Sequence, residues 1–297
     1  MASPILLGTW PTPMESAPRL AASLGLDHLW IKRDDLIGLG GGGNKVRKLQ
    51  YTCAAALEAG AATLITTGGP QSNHARLTAA AAARLGLRCV LVLAGDPPDV
   101  SRGNLVLDSF AGAEIVWSAG RSPEQVVEVE VTKRYRPYVI PFGGSSSASA
   151  QGYLDCAREI ESQLPDVDRV VVAVGSGGTM AGLVAALGPE RVFGVDTGAV
   201  SDARASVAAL LDGMPDVSVD PADLRIDRAQ IGGGYARLTE RVREALKLAA
   251  RTEGLFLDPT YTGRAMANLI AGGVPHRGRT VFLHSGGLPA LFGHPEL

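Results

Sequence analysis

A single lysine follows a run of four glycines near the start of the chain, in GLGGGGNKVRKL at residues 38–49. Lys45 is predicted to occupy the first turn of a helix, beside unpaired N–H groups and the positive end of the helix dipole. That field, with Arg47 and Lys48 next in sequence, disfavours the ammonium form and lowers the pKa of the amine. A lysine of lowered pKa suits imine formation with a carbonyl compound. Taken alone, a solvated lysine after a flexible glycine tether explains the stretch equally well.

A second glycine-rich stretch, VAVGSGGTMAGL at 172–183, has the form of an anion-binding loop. Backbone N–H groups of 175–179 can surround an anion at the start of the following helix, and the hydroxyls of Ser176 and Thr179 can add donors. The loop is not a Walker motif, because no Gly-Lys-Ser/Thr follows. A dinucleotide site is disfavoured but stays open, since Asp196 stands at about the expected distance. A tight turn without a ligand is the simpler alternative.

Polar side chains also follow glycines in TTGGPQSNHAR at 66–76, where Gln71, Ser72 and Asn73 begin a predicted helix. Ser72 or Asn73 could simply cap that helix. His74, taken alone, is more often a surface or capping residue than a base.

Two segments near the end of the chain, DPTYTGRAM (258–266) and LHSGGLPAL (283–291), put hydroxyls beside glycines. Tyr235 precedes them, and Tyr261 lies in the first. Tyrosines usually pack with a satisfied hydroxyl, so neither one alone indicates a site. All the polar segments lie where a strand's carboxyl end would meet a loop or helix. That is where open α/β sheets bind ligands.

Short apolar runs supply the strands that these loops require. Five runs are predicted as buried strands: 62–67, 89–95, 114–117, 169–175 and 279–287. Ala- and Leu-rich helical patterns lie between several of them, for example at 72–86 and 178–188. Strand, glycine turn, helix and strand in alternation indicate an α/β protein whose parallel sheets are covered on both faces.

Two helices are predicted from apolar spacing. In 45–57 the helical repeat predicts one buried stripe, formed by Val46, Leu49, Cys53 and Leu57. A second helix is expected over 238–251, with Gly254 as its stop.

Composition excludes several function classes. The chain has 297 residues, enough for one large domain or two linked ones, and a net charge of −2 without the basic excess of a nucleic-acid binder. Its three cysteines are widely spaced and lack metal-ligand spacing, which favours a reducing compartment and no metal site. We see no signal peptide and no apolar run of about 18 residues, so a cytoplasmic protein without a membrane span is expected.

Six segments together resemble one family, in order and over nearly the whole chain: WIKRDDL, GGNKVRKL, GGPQSNHAR, GSGGTMAGL, ARTEGLFLDPTYTGRAM and HSGGLPALF. They are similar to the D-cysteine desulfhydrase and 1-aminocyclopropane-1-carboxylate (ACC) deaminase family of pyridoxal-phosphate (PLP) enzymes. The resemblance implies the tryptophan-synthase-β-like fold, with two α/β domains of open, mostly parallel sheets flanked by helices and PLP in the cleft between them. The small domain would be 50–152, and the large one 1–49 with 153–297. Family members are commonly homodimers.

The resemblance also implies residue roles. Lys45 matches the lysine that forms the internal aldimine and moves the Cα proton, and Asn73 matches the residue that bonds the cofactor's phenolate oxygen. The catalytic residues implied are Lys45, Ser72, Tyr235 and Tyr261. The cofactor-binding residues implied are Lys45, Asn44, Asn73, Gly175, Ser176, Gly177, Gly178, Thr179 and Ser285. The substrate-contacting residues implied are Gln71, Ser72, His74, Tyr261 and Thr262.

Two positions favour one branch of the family. ACC deaminases typically have Glu after the second tyrosine and His-Leu before the glycine pair, whereas Thr262 and Ser285 stand here. A hydroxyl at the pyridine nitrogen leaves the ring largely unprotonated and makes a weaker electron sink, which suffices when a good leaving group departs from Cβ. We therefore expect α,β-elimination from a cysteine-like amino acid, D-cysteine giving pyruvate, hydrogen sulfide and ammonia.

Alternatives stay open within and beyond the family. ACC deamination is one, and a biosynthetic β-elimination or β-replacement enzyme of the same family is another. A non-catalytic nucleotide-binding module is a third, although it has no need of Lys45. The substrate's handedness is not indicated, and the family pattern needs only the last two glycines before Asn44, which leaves Gly40 and Gly41 unexplained.

Overall fold

Two separate β-sheets organise the chain, whose computed structural model describes residues 3–297. In chain order the strands are β1 (Met14–Ser16), β2 (His28–Lys32), β3 (Thr63–Gly68), β4 (Arg88–Leu93), β5 (Glu114–Trp117), β6 (Pro137–Ile140), β7 (Arg169–Val174), β8 (Val192–Asp196), β9 (Arg225–Asp227) and β10 (Arg279–Leu283). The helices are α1 (Pro18–Leu24), α2 (Lys45–Glu58), α3 (Asn73–Leu85), α4 (Asn104–Phe110), α5 (Pro123–Lys133), α6 (Ser147–Gln163), α7 (Gly178–Leu187), α8 (Ala203–Asp212), α9 (Glu240–Glu253), α10 (Thr262–Ile270) and α11 (Leu288–Leu291).

The larger sheet has the strand order β1-β2-β10-β7-β8-β9 and is parallel except for β1, which pairs antiparallel with β2. Helices α6, α7 and α8 cover one of its faces, and α1, α9 and α10 cover the other. Its central strands are buried on both sides, which explains why VVVAV, after Arg169 in β7, is a continuous apolar run.

The smaller sheet has the order β5-β4-β3-β6 and is parallel throughout. Helices α2 and α3 pack on one face, while α5 packs on the other against Ile65, Val90 and Val92. The predicted α/β fold with mostly parallel sheets flanked by helices is therefore confirmed.

The predicted domain boundaries stay a prediction, but the sheets bear on them. All four strands of the smaller sheet lie within 63–140, and every strand of the larger sheet lies outside that range. Both proposed boundaries, after residues 49 and 152, fall inside helices, namely α2 and α6. These two helices pack against each other, so they join the two sheets.

Both predicted helices are present, with small differences at their ends. Helix α2 begins at Lys45, as predicted, and ends one residue later than predicted, at Glu58. Helix α9 begins and ends two residues later than predicted, and Gly254 follows it as the expected stop in the left-handed conformation with φ 66°. Leu57, predicted to be buried, is instead 38% exposed. The buried stripe runs through Val46, Leu49, Cys53 and Ala56, whereas residues 57–59, at the C-terminal end of α2, are exposed.

Candidate active site

A cavity opens where the carboxyl ends of strands from both sheets meet. Its lining includes Gly69 after β3, Phe142 after β6, Gly175 after β7 and Ser285 after β10, and its volume is about 770 Å³ with open solvent at the mouth included. The predicted site residues that line it are Asn44, Lys45, Ser72, Asn73, His74, Gly175, Ser176, Gly177, Thr179, Tyr235, Tyr261 and Ser285. Gln71, Gly178 and Thr262 are not among the lining residues.

Lys45 enters the cavity from the first turn of α2, as predicted. Burial disfavours its ammonium and lowers the pKa of Lys45 to about 8, which confirms the predicted direction. The predicted cause needs correction, because desolvation, not the charge of Arg47, dominates. Arg47 belongs to a buried ion-pair cluster and lies 2.8 Å from both Asp34 and Glu159.

Lys48 is a cavity residue that the sequence did not single out as part of the site. It lies one helical turn after Lys45, and its Nζ donates to Ser145 Oγ at 2.8 Å and to the Gly143 carbonyl at 3.3 Å. Burial and the neighbouring charge of Lys45 hold the pKa of Lys48 well below its usual range. The i, i+3 spacing of the two lysines was the available signal, since it puts both on one helix face.

The loop 175–179 leads into the N-terminus of α7. The residue that precedes the helix is Gly177, with φ 88°, so no side chain caps the first turn and its N–H groups face the cavity end. Ser176 Oγ lies 2.7 Å from Ser145 Oγ, and Asn44 Nδ2 donates to Thr179 Oγ1 at 3.0 Å. Gly178 leaves room for the side chains behind this loop, since a Cβ there would lie 2.7 Å from Ser145 Oγ and 3.0 Å from Lys48 Nζ.

Asn73 is held by a hydrogen-bond network at the start of α3. Its Oδ1 accepts from Asn104 Nδ2 at 3.0 Å and from Arg76 Nη2 at 3.4 Å, which leaves the amide NH₂ as the end available to a ligand. Asn104 is fully buried. The sequence did not indicate it as a site residue, because it is 31 residues from Asn73 along the chain and meets it only in the folded protein.

Gln71 requires a correction. Its Oε1 accepts from the Asn104 N–H at 2.9 Å, and its Nε2 donates to the Arg102 carbonyl at 2.9 Å. The side chain therefore fixes the 102–104 loop beside Asn73 instead of reaching the cavity. Most side-chain hydrogen bonds in proteins go to backbone groups or water, as both of these do.

Ser72 does both things that the sequence allowed. Its Oγ accepts from the Ala75 N–H at 3.1 Å and so caps α3, yet the residue lines the cavity. His74 is not a surface residue, since it is only 3% exposed. Burial and the charges of Lys45 and Lys48 hold the pKa of His74 well below its usual range.

The hydrogen bonds of His74 fix its tautomer. Thr66 gives its single hydroxyl proton to the Ile140 carbonyl at 3.0 Å, so it accepts from His74 Nε2 at 2.9 Å. In the neutral ring that the lowered pKa favours, the proton is on Nε2 and the buried Nδ1 is an acceptor.

Two tyrosines close one side of the cavity. The hydroxyls of Tyr235 and Tyr261 lie 2.6 Å apart, and their rings meet edge to face with centroids separated by 6.2 Å. Burial raises the pKa of Tyr261 well above its usual range. Arg264, buried below them, donates to the carbonyls of Gly234 at 2.6 Å and Arg237 at 2.9 Å and thereby holds the loop that bears Tyr235.

Thr262 was expected to contact the substrate, but its side chain does not line the cavity. Its hydroxyl donates to Asp258 Oδ1 at 2.7 Å, and the side chain is fully buried. The Asp258 carboxylate also accepts the N–H groups of Thr260, Tyr261 and Thr262 at 2.8–2.9 Å. Asp258 thus caps α10, and Thr262 helps to place Tyr261 without facing the cavity.

Comparison with known proteins decides the family. A profile described as "Pyridoxal-phosphate dependent enzyme" matches residues 5–286. The chain belongs to this family. It is 42% identical to a D-cysteine desulfhydrase of Klebsiella pneumoniae (strain 342), over 97% of this chain and 95% of the relative. A D-cysteine desulfhydrase of Salmonella schwarzengrund (strain CVM19633) gives the same identity and coverage.

Solved structures agree with this assignment. A crystal structure described as an ACC deaminase homologue superposes with a TM-score of 0.87 and 33% identity, covering 99% of this chain and 94% of that one. A PLP-dependent aspartate racemase superposes at 0.69 with 18% identity, which shows the shared fold only. The fold is therefore the tryptophan-synthase-β-like fold of PLP enzymes.

The cofactor of this family is pyridoxal phosphate, and the cavity residues fit it. The uncapped first turn of α7 offers N–H donors to a phosphate, and the Lys48 amine adds a donor beside them. Lys45 offers an amine of lowered pKa, and Asn73 presents a donor.

Among residues 3–297 no cluster of three or more His, Cys, Asp or Glu side chains could hold a metal ion. In the same range, no helix combines the length and apolar character needed to cross a membrane.

Proposed function

We propose that this protein is a PLP-dependent carbon–sulfur lyase that converts D-cysteine to pyruvate, hydrogen sulfide and ammonia by α,β-elimination. One observation carries the proposal: relatives 42% identical over nearly the full chain are D-cysteine desulfhydrases. The cavity is consistent with it, since it brings together a lysine of lowered pKa, an anion loop and a tyrosine pair.

The chain's own residues would hold the cofactor at several points. The N–H groups of 175–179 and Lys48 would bind the phosphate, and the Asn73 amide would donate to the ring oxygen. Ser285 would face the ring nitrogen, where a hydroxyl leaves the nitrogen largely unprotonated. When bound, PLP supplies an electron sink for the pair released at Cα.

Lys45 would act as the base. With a pKa of about 8, an appreciable fraction of its amine is neutral near neutral pH, and Nζ can take the Cα proton of the substrate. The C–S bond then breaks, and sulfur leaves with the bonding pair as hydrogen sulfide ion. Water hydrolyses the remaining three-carbon enamine to pyruvate and ammonia.

The start of α3 and the tyrosine pair would orient the substrate. The Ser72 hydroxyl and nearby N–H groups lie at the positive end of α3, which suits a substrate carboxylate. Tyr261 would orient the substrate or assist proton transfer, and Tyr235 would hold its hydroxyl in place.

ACC deamination is the second candidate, favoured by the structural similarity to an ACC deaminase homologue. Against it stand Thr262, where ACC deaminases typically have Glu, and Ser285, which departs from their pattern before the glycine pair. Opening a cyclopropane ring demands a deeper electron sink than expelling a thiolate.

The proposal includes a cytoplasmic homodimer of two-domain subunits. All three cysteines are buried and free, which fits a reducing compartment. The two sheets support the division into 50–152 and the remainder, and the dimer rests on the resemblance to the family. Light scattering of the purified protein would measure the subunit number.

A substrate panel tests the proposal. We expect pyruvate from D-cysteine and β-chloro-D-alanine, and none from Lys45→Ala protein under the same conditions. L-cysteine in parallel reports the handedness. If ACC yields 2-oxobutyrate while D-cysteine gives no pyruvate, the second candidate replaces the first.

A further inference from the structure

The four glycines before Asn44 form a tight loop whose backbone lies outside the region that other residues favour. Their φ angles are all positive, at 54°, 83°, 74° and 128° for Gly40 to Gly43. A Cβ at Gly42 would lie 1.8 Å from the Asp35 carbonyl oxygen, and one at Gly40 would lie 2.6 Å from Ala80 Cβ. The loop is therefore a packed turn rather than a tether, and Gly40 and Gly41 are explained by its conformation.

One buried side chain holds this loop. Arg76 of α3 is 1% exposed, and its Nη1 donates to the carbonyls of Gly40 and, at 2.9 Å, Gly42. Its Nη2 lies 3.4 Å from Asn73 Oδ1. A single guanidinium thus contacts both the segment that leads into Lys45 and the amide of Asn73.

We propose that Arg76 is a positioning residue for the reaction, which sets the placement of Lys45 relative to Asn73. Lys45 starts a helix whose preceding turn is fixed by Arg76, while Asn73 lies one turn before Arg76 on its own helix. The planar fork of arginine can serve both partners at once, which the single ammonium of lysine cannot do. The role in catalysis rests on the proposed function, whereas the role in holding the loop does not.

Burying the Arg76 guanidinium costs free energy, which is consistent with a specific role for this residue. Burial lowers the pKa of Arg76 to about 10, and the same burial raises the pKa of nearby Asp108 to about 7. The carbonyl oxygens of the glycine loop offset part of the desolvation cost of the guanidinium. If the side chain only filled space, an apolar residue at position 76 would avoid this desolvation cost.

Hydrogen exchange of the cofactor-free protein tests the claim directly. The N–H groups of Gly42, Gly43 and Asn44 are all bonded, to the carbonyls of Leu39, Asp34 and Ser285 respectively. Loss of a charge-assisted bond of about 1.5–3 kcal/mol should raise their exchange about 10- to 100-fold in Arg76→Met protein. Arg76→Lys should give a smaller rise, and it keeps the test available if the Met variant does not fold.

Arg169→Met is the matched control. Arg169 is also buried and also donates to two backbone carbonyls, those of Pro275 and Arg277. It is the first residue of β7, whereas the cavity lies at the carboxyl end of that strand. Its replacement should loosen 275–279 and leave the glycine loop unchanged.

Cofactor titration supplies the second readout. We expect Arg76→Met to weaken PLP binding at least about tenfold and to lower kcat more than it raises KM, with Arg169→Met close to wild type. A folded Arg76→Met protein with wild-type exchange in 40–44 and wild-type PLP affinity would overturn the inference. If wild-type protein fails to turn over D-cysteine, the proposed function falls, while exchange and titration still decide the role of Arg76.

Discussion

The hydroxyl of Tyr235 lies 2.6 Å from the hydroxyl of Tyr261, so one of the two donates its proton to the other. Only the second hydroxyl then has a proton left for a ligand in the cavity. Separate anchors hold the two residues, Arg264 for the Tyr235 loop and Asp258 for the start of α10. The pair is therefore a single hydrogen-bond unit built from two distant segments of the chain.

If the tyrosines act as one unit, their losses should not add. Tyr261→Phe is expected to lower kcat/KM by about 10²-fold, in the range seen when a positioned proton-transfer group is lost. Tyr235→Phe should cost less, and the double variant should be no worse than Tyr261→Phe. Steady-state kinetics of the three variants would measure this. Losses that multiply would mean that the two hydroxyls act independently.

The buried amine of Lys45 should make stability depend on pH in a defined direction. Its pKa is about 8 in the folded protein against 10.5 for an ordinary lysine. Between these values the unfolded chain binds more protons, so the free energy of unfolding rises with pH from about 8 to about 10.5. Below pH 8 the ammonium is buried at full cost.

Lys45→Met should therefore stabilise the cofactor-free protein at pH 7, by about 1–3 kcal/mol, with a smaller gain above pH 10. Denaturant unfolding at the two pH values would measure the difference. Lys247→Met, at an exposed lysine of α9, is the control and should change little. A destabilised Lys45→Met protein at pH 7 would contradict the assigned burial cost.

Lys48 should bind the phosphate of the cofactor. Removing one charge-assisted bond costs about 1.5–3 kcal/mol, so Lys48→Met should weaken PLP binding about 10- to 100-fold. Binding of pyridoxal, which lacks the phosphate, should be nearly unchanged. Absorbance titrations with both ligands separate the two outcomes, and an equal loss for pyridoxal would place Lys48 away from the phosphate.

Thr262 should matter for stability and not for substrate binding. Its hydroxyl is bonded to Asp258, so Thr262→Val should lower the free energy of unfolding by about 1 kcal/mol while KM stays within about twofold. Thermal unfolding and steady-state kinetics would measure the two effects. A large rise in KM at unchanged stability would restore the substrate contact that the sequence suggested.

The local sequence pattern predicted much of this site, because the loops that line the cavity lie at the ends of helices and strands. The start of α2 at Lys45, the start of α3 near Ser72 and the glycine turn before α7 all follow from residue order. What the sequence missed depends on contacts between distant segments. Asn104 reaches Asn73 from another helix, and Arg76 reaches back to the glycine loop.

The predictions for Gln71 and Thr262 differ from the structure for the same reason. Gln71 and Thr262 carry polar groups next to cavity residues, and sequence alone cannot tell which way a side chain turns. Each is bonded to a partner outside the cavity, Gln71 to the start of α4 at Asn104 and Thr262 to Asp258 in its own loop. Most polar side chains near the interior find a hydrogen-bond partner within the protein, so adjacency to a site does not imply contact with its ligand.

Sulfide release from D-cysteine tests the central claim most directly. The wild-type protein with PLP should release hydrogen sulfide and pyruvate in equal amounts, and Lys45→Ala protein should release neither above the rate of free PLP. Sulfide and pyruvate would be measured in the same samples over time. A wild-type protein that binds PLP through Lys45 yet releases no sulfide from D-cysteine would contradict the account.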